Sequence, residues 1–86
     1  MNAIPMQSVN SSQIMAVGYD ASAEALAIQF WAKGRTPGSI YHYTPVPLGM
    51  YQGLVAAESV GKFFGQHIRG KDGIACRKID TQREAA

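Results

Sequence analysis

The stretch ALAIQFWAKGRTPGSIYHYT, residues 25–44, decides the fold of this chain. Its first run alternates large apolar residues with small or polar ones, and Tyr41 and Tyr43 alternate in the same way in its last run. A period of two predicts strands whose faces differ in burial. Two glycines and a proline within residues 33–38 predict a loop between the runs. The stretch therefore predicts two strands, the later of them over residues 39–44.

The residues upstream predict another strand that pairs with the first of these. Alternation begins at Ser12, and residues 20–22, Asp-Ala-Ser, are typical of a turn. The chain would thus form a three-stranded antiparallel meander. We expect Ile14, Ala16 and Gly18 on one face of the new strand and Met15, Val17 and Tyr19 on the other; in the next strand Leu26, Ile28 and Phe30 share a face.

Downstream, the spacing of apolar residues changes from two to the helical period. Pro45 and Pro47 end the last strand, and Pro47 suits the start of a helix. Ser59 is a favourable N-cap for a second helix, and Gly70 would end it. The apolar stripes are Met50, Tyr51, Leu54 and Val55 in the first helix and Phe63, Phe64, His67 and Ile68 in the second.

These elements predict an α+β domain with both short C-terminal helices packed on one face of the meander. Residues 74–79 are consistent either with a fourth strand or with an oligomer contact, and the last seven residues are expected to be disordered. We divide the chain into an N-terminal arm (residues 1–10), the domain (residues 11–70) and a C-terminal tail (residues 71–86).

Length and composition restrict the class of protein. A chain of 86 residues buries only about 60% of the surface that it exposes when unfolded, so its stability is marginal unless it self-associates. Cys76 is the only cysteine, which excludes an intrachain disulfide. No apolar run approaches the about 18 residues of a membrane span, and residues 1–5 do not resemble a signal peptide. We expect a cytoplasmic homo-oligomer without membrane contact.

Charge is distributed unevenly along the chain. Residues 1–59 contain two bases and three acids, whereas residues 60–86 contain six bases and three acids. The C-terminal third would therefore attract an anion. The interleaved acids leave open the alternative that this is an ordinary solvated surface.

Catalytic and metal-binding patterns are weak. The chain lacks a G-x-S-x-G elbow, and His42 and His67 are separated by 25 residues. Ser11 or Ser12 would be a nucleophile only if the fold placed it beside a histidine. His42, His67 and Cys76 lack the close spacing of metal ligands. We expect no enzymatic activity, no metal and no cofactor, with a hydrolase as the alternative.

Binding chemistry is better supported. Ser59, Gly61 and Lys62 would expose free amides beside a positive charge at a helix start, which suits a phosphate, although Ala56 and Phe63 break the Walker pattern. The alternative is that Ser59 only caps the helix and Gly61 only allows close packing. Tyr41 and Tyr43 would stack on a base, or else belong to the core or an interface. His67 and Arg69 would add hydrogen bonds to an anionic ligand.

A series of motifs resembles the KTSC domain, a family named after the C-terminus of some lysyl-tRNA synthetases and also found as small bacterial and phage proteins. The resemblance covers about residues 6–71. Its YxY motif corresponds to Tyr41 and Tyr43, and a small-Ser-x-Gly motif corresponds to Ala57, Ser59 and Gly61. The matching segments are VNSS (9–12), VGYD (17–20), LAIQF (26–30), YHY (41–43), VP (46–47), AESVGKFF (57–64) and IR (68–69).

Two functions follow from these patterns and from the resemblance. The first is a homo-oligomer that binds or sequesters a small phosphate-bearing ligand, such as a cyclic nucleotide signal, as a sponge does. The second, implied by the synthetase context, is an RNA-binding accessory domain, although the nearly balanced charge argues against it. The predicted ligand-binding residues are Ser11, Ser12, Tyr41, Tyr43, Ser59, Gly61, Lys62, His67 and Arg69.

Overall fold

A five-stranded antiparallel sheet with two helices makes up the fold. The computed structural model describes residues 4–71 and 73–79. The strands are β1 (Gln7–Ser8), β2 (Ile14–Asp20), β3 (Ala25–Ala32), β4 (Thr36–Thr44) and β5 (Ala75–Ile79), and α1 (Leu48–Ala56) and α2 (Val60–His67) lie between β4 and β5. The strands follow chain order across the sheet. The predicted α+β class is confirmed, whereas the predicted count of three or four strands is too low.

The two outermost strands account for the difference in strand number. β1 lies in the expected N-terminal arm and pairs with β2 through Gln7 and Ser8. Two polar residues carry no periodicity, so no pattern could indicate this strand. β5 pairs with β4 over five residues. Residues 74–79, for which a strand and an oligomer contact were both open, therefore contain a strand of the same sheet. The tail segment predicted to be disordered, residues 80–86, lies outside the described residues.

A β-bulge in β2 overturns the predicted faces of that strand. Ile14 lies opposite Phe30, but Ala16 lies opposite Gln29, so the register shifts between Ile14 and Ala16. Two residues of one strand then face one of its partner, and the alternation changes phase. Ile14 therefore joins Val17 in the helix-covered core, where both are fully buried. The prediction that Ile14 shares a face with Ala16 is wrong for this reason.

The predicted loop at residues 33–38 is shorter than expected. Only residues 33–35 form the turn, and Gly34 and Arg35 adopt positive φ angles of 74° and 60°. β4 already begins at Thr36, and Pro37 lies opposite Trp31. A proline at this position is compatible with a strand next to an irregularity in register. The strand prediction for residues 39–44 is confirmed, with three further residues at its start.

The core lies between the helices and one face of the sheet. Tyr19 of β2 stacks on Tyr51 of α1, with ring centroids 4.9 Å apart, and its hydroxyl donates to the Val46 carbonyl. Val55, predicted to belong to the apolar stripe of α1, is instead 37% exposed. Neither helix in the described ranges is long and apolar enough to cross a membrane. The buried core residues are Ile14, Val17, Leu26, Ile28, Tyr43, Val46, Leu54, Val60, Phe64 and Ile68.

The other face of the sheet carries small residues under the N-terminal arm. A Cβ atom added to Gly18 would collide with the carbonyl of Pro5 and the side chain of Ile4. Ala27, which lies opposite Gly18 on β3, is fully buried. The N-terminal arm therefore packs directly on this part of the sheet. Larger side chains at Gly18 or Ala27 would occupy the space that the arm fills.

His42, on the helix-free face of β4, is expected to make stability depend on pH. It lies opposite Arg77, and burial, followed by the charge of Arg77, lowers the pKa of His42 below 6.5. As pH falls through 6.5, the unfolded chain binds a proton that the folded chain does not yet bind. The free energy of unfolding therefore decreases as the pH decreases through this range.

Urea unfolding at about pH 7.5 and about pH 5.5 measures this effect. The wild-type midpoint should be lower at the acidic pH, and the decrease should be smaller in His42→Gln, which cannot titrate. An equal decrease in both proteins would show that other groups cause it.

Candidate functional site

Two adjoining cavities lie beside α2. The smaller, of about 330 Å³, lies at the start of α2, and the larger, of about 740 Å³, lies between Arg69 and strands β3 and β4. Ser12 and Gln13 line both cavities. Asn10, Ser11, Glu58, Ser59, Gly61 and Lys62 complete the smaller cavity, and Phe30, Trp31, Ala32, Gly38, Ser39, Tyr41, Tyr43 and Arg69 complete the larger.

The smaller cavity is built around the N-cap of α2. Ser59 Oγ accepts a hydrogen bond from the Lys62 amide at 3.2 Å, as the sequence predicts for an N-cap. The amides of Val60 and Gly61 precede the first bond within the helix, so they have no partner inside it. The Lys62 side chain is exposed at the same place. This end of α2 thus combines free amide donors with a positive charge.

The serine side chains of this cavity differ in availability. Ser11 Oγ accepts from the amides of Gln13 and Ile14, both at 3.2 Å, and so organises the start of β2. A Cβ atom on Gly61 would lie 3.3 Å from Ser11 Oγ and from the Gln13 side-chain oxygen. Ser11, Ser59 and Gly61 therefore have packing or capping roles here. Ser12 makes no side-chain hydrogen bond with another described residue and remains available to a ligand.

Glu58 opposes an anion at this cavity. Glu58 belongs to the lining together with Lys62. A carboxylate within a few ångströms of a phosphate lowers the affinity for that phosphate. The balance between Glu58 and Lys62 therefore decides how strongly the smaller cavity attracts negative charge.

Aromatic side chains form the wall of the larger cavity. Phe30 and Tyr41 pack edge to face, with ring centroids 5.7 Å apart. The Trp31 ring is held from two sides, because its Nε1 donates to the Ser11 carbonyl at 3.2 Å and the Arg35 guanidinium lies 4.3 Å from its centroid. Tyr41 and Trp31 are both half-buried, so part of each ring faces the cavity.

Tyr43 belongs mainly to the core rather than to the aromatic wall. Its side chain is only 7% exposed, and its ring packs edge to face against Phe64 at 5.2 Å. Burial raises the pKa of Tyr43, the Cys76 thiol raises it further, and the positive charge of Arg69 acts in the opposite direction. Of the predicted stacking pair, only Tyr41 has a ring with substantial exposure, because Phe64 of α2 covers Tyr43.

Eight of the nine predicted site residues line one of the two cavities, and His67 does not. The His67 ring lies 4.4 Å from the Phe63 ring on the surface of α2. His67 thus lies outside both linings, whereas Arg69, two residues further along and past the end of α2, belongs to the larger one. A role for His67 in ligand binding stays a prediction. Gln13 and Phe30 are lining residues that the sequence analysis did not include among the predicted site residues. Gln13 adjoins Ser12, but its neighbour across the cavity is Gly61, which the sequence could not indicate.

Neither cavity combines a serine with a histidine among the residues that line it. Neither histidine is among the lining residues, so these cavities do not place Ser11 or Ser12 beside an imidazole base. Within residues 4–71 and 73–79, no three His, Cys, Asp or Glu side chains are grouped as a metal site would require. What the linings offer is hydrogen bonding, positive charge and aromatic surface.

Comparison with known proteins identifies the family of this chain. The model of the KTSC domain matches residues 10–71, which include every residue that lines the two cavities. The chain belongs to the KTSC domain family. A crystal structure of a KTSC domain protein from Yersinia pestis is similar to it, with a TM-score of 0.78 and 40% sequence identity, covering 91% of this chain and all of the other.

Two bacterial proteins also match this KTSC chain in sequence. A protein of Tsukamurella paurometabola is 45% identical over 58 residues, which is 67% of this chain and 79% of the other. An uncharacterized protein of Stutzerimonas stutzeri is 33% identical over 58 residues, which is 67% of this chain and 75% of the other. These similarities establish the family.

Proposed function

We propose that this KTSC protein is a non-catalytic binding module for a small phosphate-bearing ligand such as a nucleotide. The observation that carries the proposal is a shared wall, since Ser12 and Gln13 line both cavities. It joins a phosphate-type subsite at Lys62 to an aromatic subsite at Tyr41 and Trp31. A nucleotide has the same two parts, an anion and a flat aromatic ring.

General physical chemistry supports this assignment of subsites. The N-terminus of a helix favours phosphate because its free amides and its dipole both attract negative charge. Aromatic side chains contribute about 1–3 kcal/mol per stacked base. The cavity volumes of about 330 Å³ and 740 Å³ are in the range of small-molecule sites.

Lys62 and Glu58 carry opposite charges in the smaller cavity, so replacing them should change the affinity for a phosphate in opposite directions. Trp31 is the only tryptophan, so its fluorescence reports binding of adenosine monophosphate to the larger cavity. Lys62→Ala should weaken binding about tenfold or more, since a hydrogen bond to a charged group contributes about 1.5–3 kcal/mol. Glu58→Gln should strengthen it, because a repulsive charge is removed.

The matched control for this test is Lys71→Ala, which removes an exposed lysine that lines neither cavity. Its affinity should stay close to that of the wild type. Unchanged binding in Lys62→Ala, or an equal loss in Lys71→Ala, would contradict the phosphate subsite.

We further propose that the protein sequesters its ligand as a homo-oligomer. β1 and β5 are the edges of the described sheet, and an edge strand presents unpaired amides and carbonyls to another chain. Native mass spectrometry of the protein purified from cells should show a defined oligomer with added mass in the nucleotide range. A bare monomer would contradict this, and tighter, steeply salt-dependent binding of an RNA oligomer would favour the accessory-domain alternative.

A further inference from the structure

Strand β5 adds a second positive side chain beside the aromatic wall. In the β4–β5 pair, Lys78 lies opposite Tyr41 and Arg77 lies opposite His42. Residues directly opposite in an antiparallel pair are on the same face, with Cβ atoms about 4.5–5.5 Å apart. Lys78 therefore emerges on the face of Tyr41 and of the larger cavity, whereas Arg77 emerges on the helix-free face.

The larger cavity is one-sided in charge. Its lining contains Arg69 and no acidic side chain among the described residues. Lys78 is exposed and brings a second cation to the Tyr41 side of this cavity. The smaller cavity, in contrast, combines Lys62 with Glu58. Negative charge on a ligand should thus be attracted to the larger cavity as well as to the start of α2.

We propose that Lys78 is a ligand-binding residue and that the ligand carries two separated phosphate groups, as a dinucleotide does. This inference rests on the proposed function. One phosphate would occupy the start of α2 beside Lys62, and the other would lie between Arg69 and Lys78. Lys62 lies in the first turn of α2, whereas Arg69 follows the C-cap residue Ile68 at the other end of this eight-residue helix, so they form two distinct positive positions.

Lys78 lies outside residues 10–71, the part of the chain that the family model matches. Its position comes from the register of β5, which the tail of the chain provides. A ligand with a single phosphate would be satisfied at Lys62 alone. Loss of the Lys78 side chain should therefore weaken the binding of a ligand with two phosphates and leave the binding of a ligand with one phosphate nearly unchanged.

The experiment compares two probes, adenosine monophosphate and the linear dinucleotide pApA, by Trp31 fluorescence. Lys78→Ala should weaken binding of pApA about tenfold or more and change binding of adenosine monophosphate little. Lys78→Gln, which keeps the length of the side chain, should give the same result. Arg77→Ala is the matched control, because it removes the same charge one residue away on the opposite face of β5.

The outcomes separate this inference from the proposed function. If Lys78→Ala binds pApA like the wild type while Lys62→Ala does not, the second phosphate position is wrong and the proposed function stands. An equal loss in Arg77→Ala also overturns the role of Lys78, since net charge would then explain the effect. If the wild type binds neither probe, both proposals fail.

Discussion

Replacing Phe64 with alanine is expected to lower the free energy of unfolding by about 3–5 kcal/mol. Phe64 is only 2% exposed, and its ring packs edge to face on Phe30 at 5.6 Å and on Tyr43 at 5.2 Å. Through these two rings, Phe64 connects α2 to both β3 and β4. Since a domain is stabilised by only about 5–15 kcal/mol, the variant should lose a large part of its stability.

Phe63→Ala provides the comparison, because it removes the same atoms one residue away. Phe63 is half-buried between His67 and Gly53, outside the buried cluster, and its loss should cost about 1 kcal/mol. Urea unfolding followed by far-ultraviolet circular dichroism measures both variants. Equal destabilisation by the two substitutions would mean that Phe64 does not connect α2 to the sheet in this way.

Gly38→Ala is expected to destabilise the fold by about 1–3 kcal/mol. A Cβ atom at Gly38 would lie 2.5 Å from the Phe30 carbonyl oxygen and 3.2 Å from the Ala32 amide nitrogen. Both neighbours are backbone atoms, so no rotation of a side chain relieves the contact. The strands approach this closely where the β3–β4 register shifts between Gln29 and Trp31.

Gly65→Ala is the control of opposite sign. Gly65 lies inside α2, and apart from its chain neighbours and the backbone of that helix no atom lies within 4 Å of the position that its Cβ would occupy. The substitution should stabilise the protein by about 0.5–1 kcal/mol, because alanine loses less conformational freedom than glycine. If Gly38→Ala were also stabilising in urea unfolding, the close approach of β3 and β4 would be wrong.

The element types could be predicted because their signals are local. Leu26, Ile28 and Phe30 share the core face of β3 as their spacing predicts, and Ser59 caps α2 as its position predicts. The face of Ile14 could not be predicted, since a bulge shifts the alternation without leaving a proline or glycine in the sequence. β1 was missed because a two-residue strand exists only through its pairing with β2.

The candidate site was predictable as a set of residue types and not as an arrangement. Ser12, Lys62 and Arg69 were chosen for their chemistry, and they line two adjoining cavities. Tyr43 and His67 show the limit of that reasoning. The alternation of Tyr41 and Tyr43 does not reveal which of the two lies beneath a helix. The helical spacing of the apolar stripe in α2 likewise does not reveal that His67 lies on the exposed surface of that helix.

The sequence by itself determined that the segments of β2, β3 and β4 are strands and those of α1 and α2 are helices, where most of these elements end, and which family the chain resembles. These properties depend on periodicity, capping and breaking residues that act over a few positions. Only the tertiary structure decided that residues 11–13 meet residues 58–62, that Tyr43 is buried and that Lys78 lies opposite Tyr41. Such contacts join segments tens of residues apart, so they follow from packing and strand register rather than from local preference.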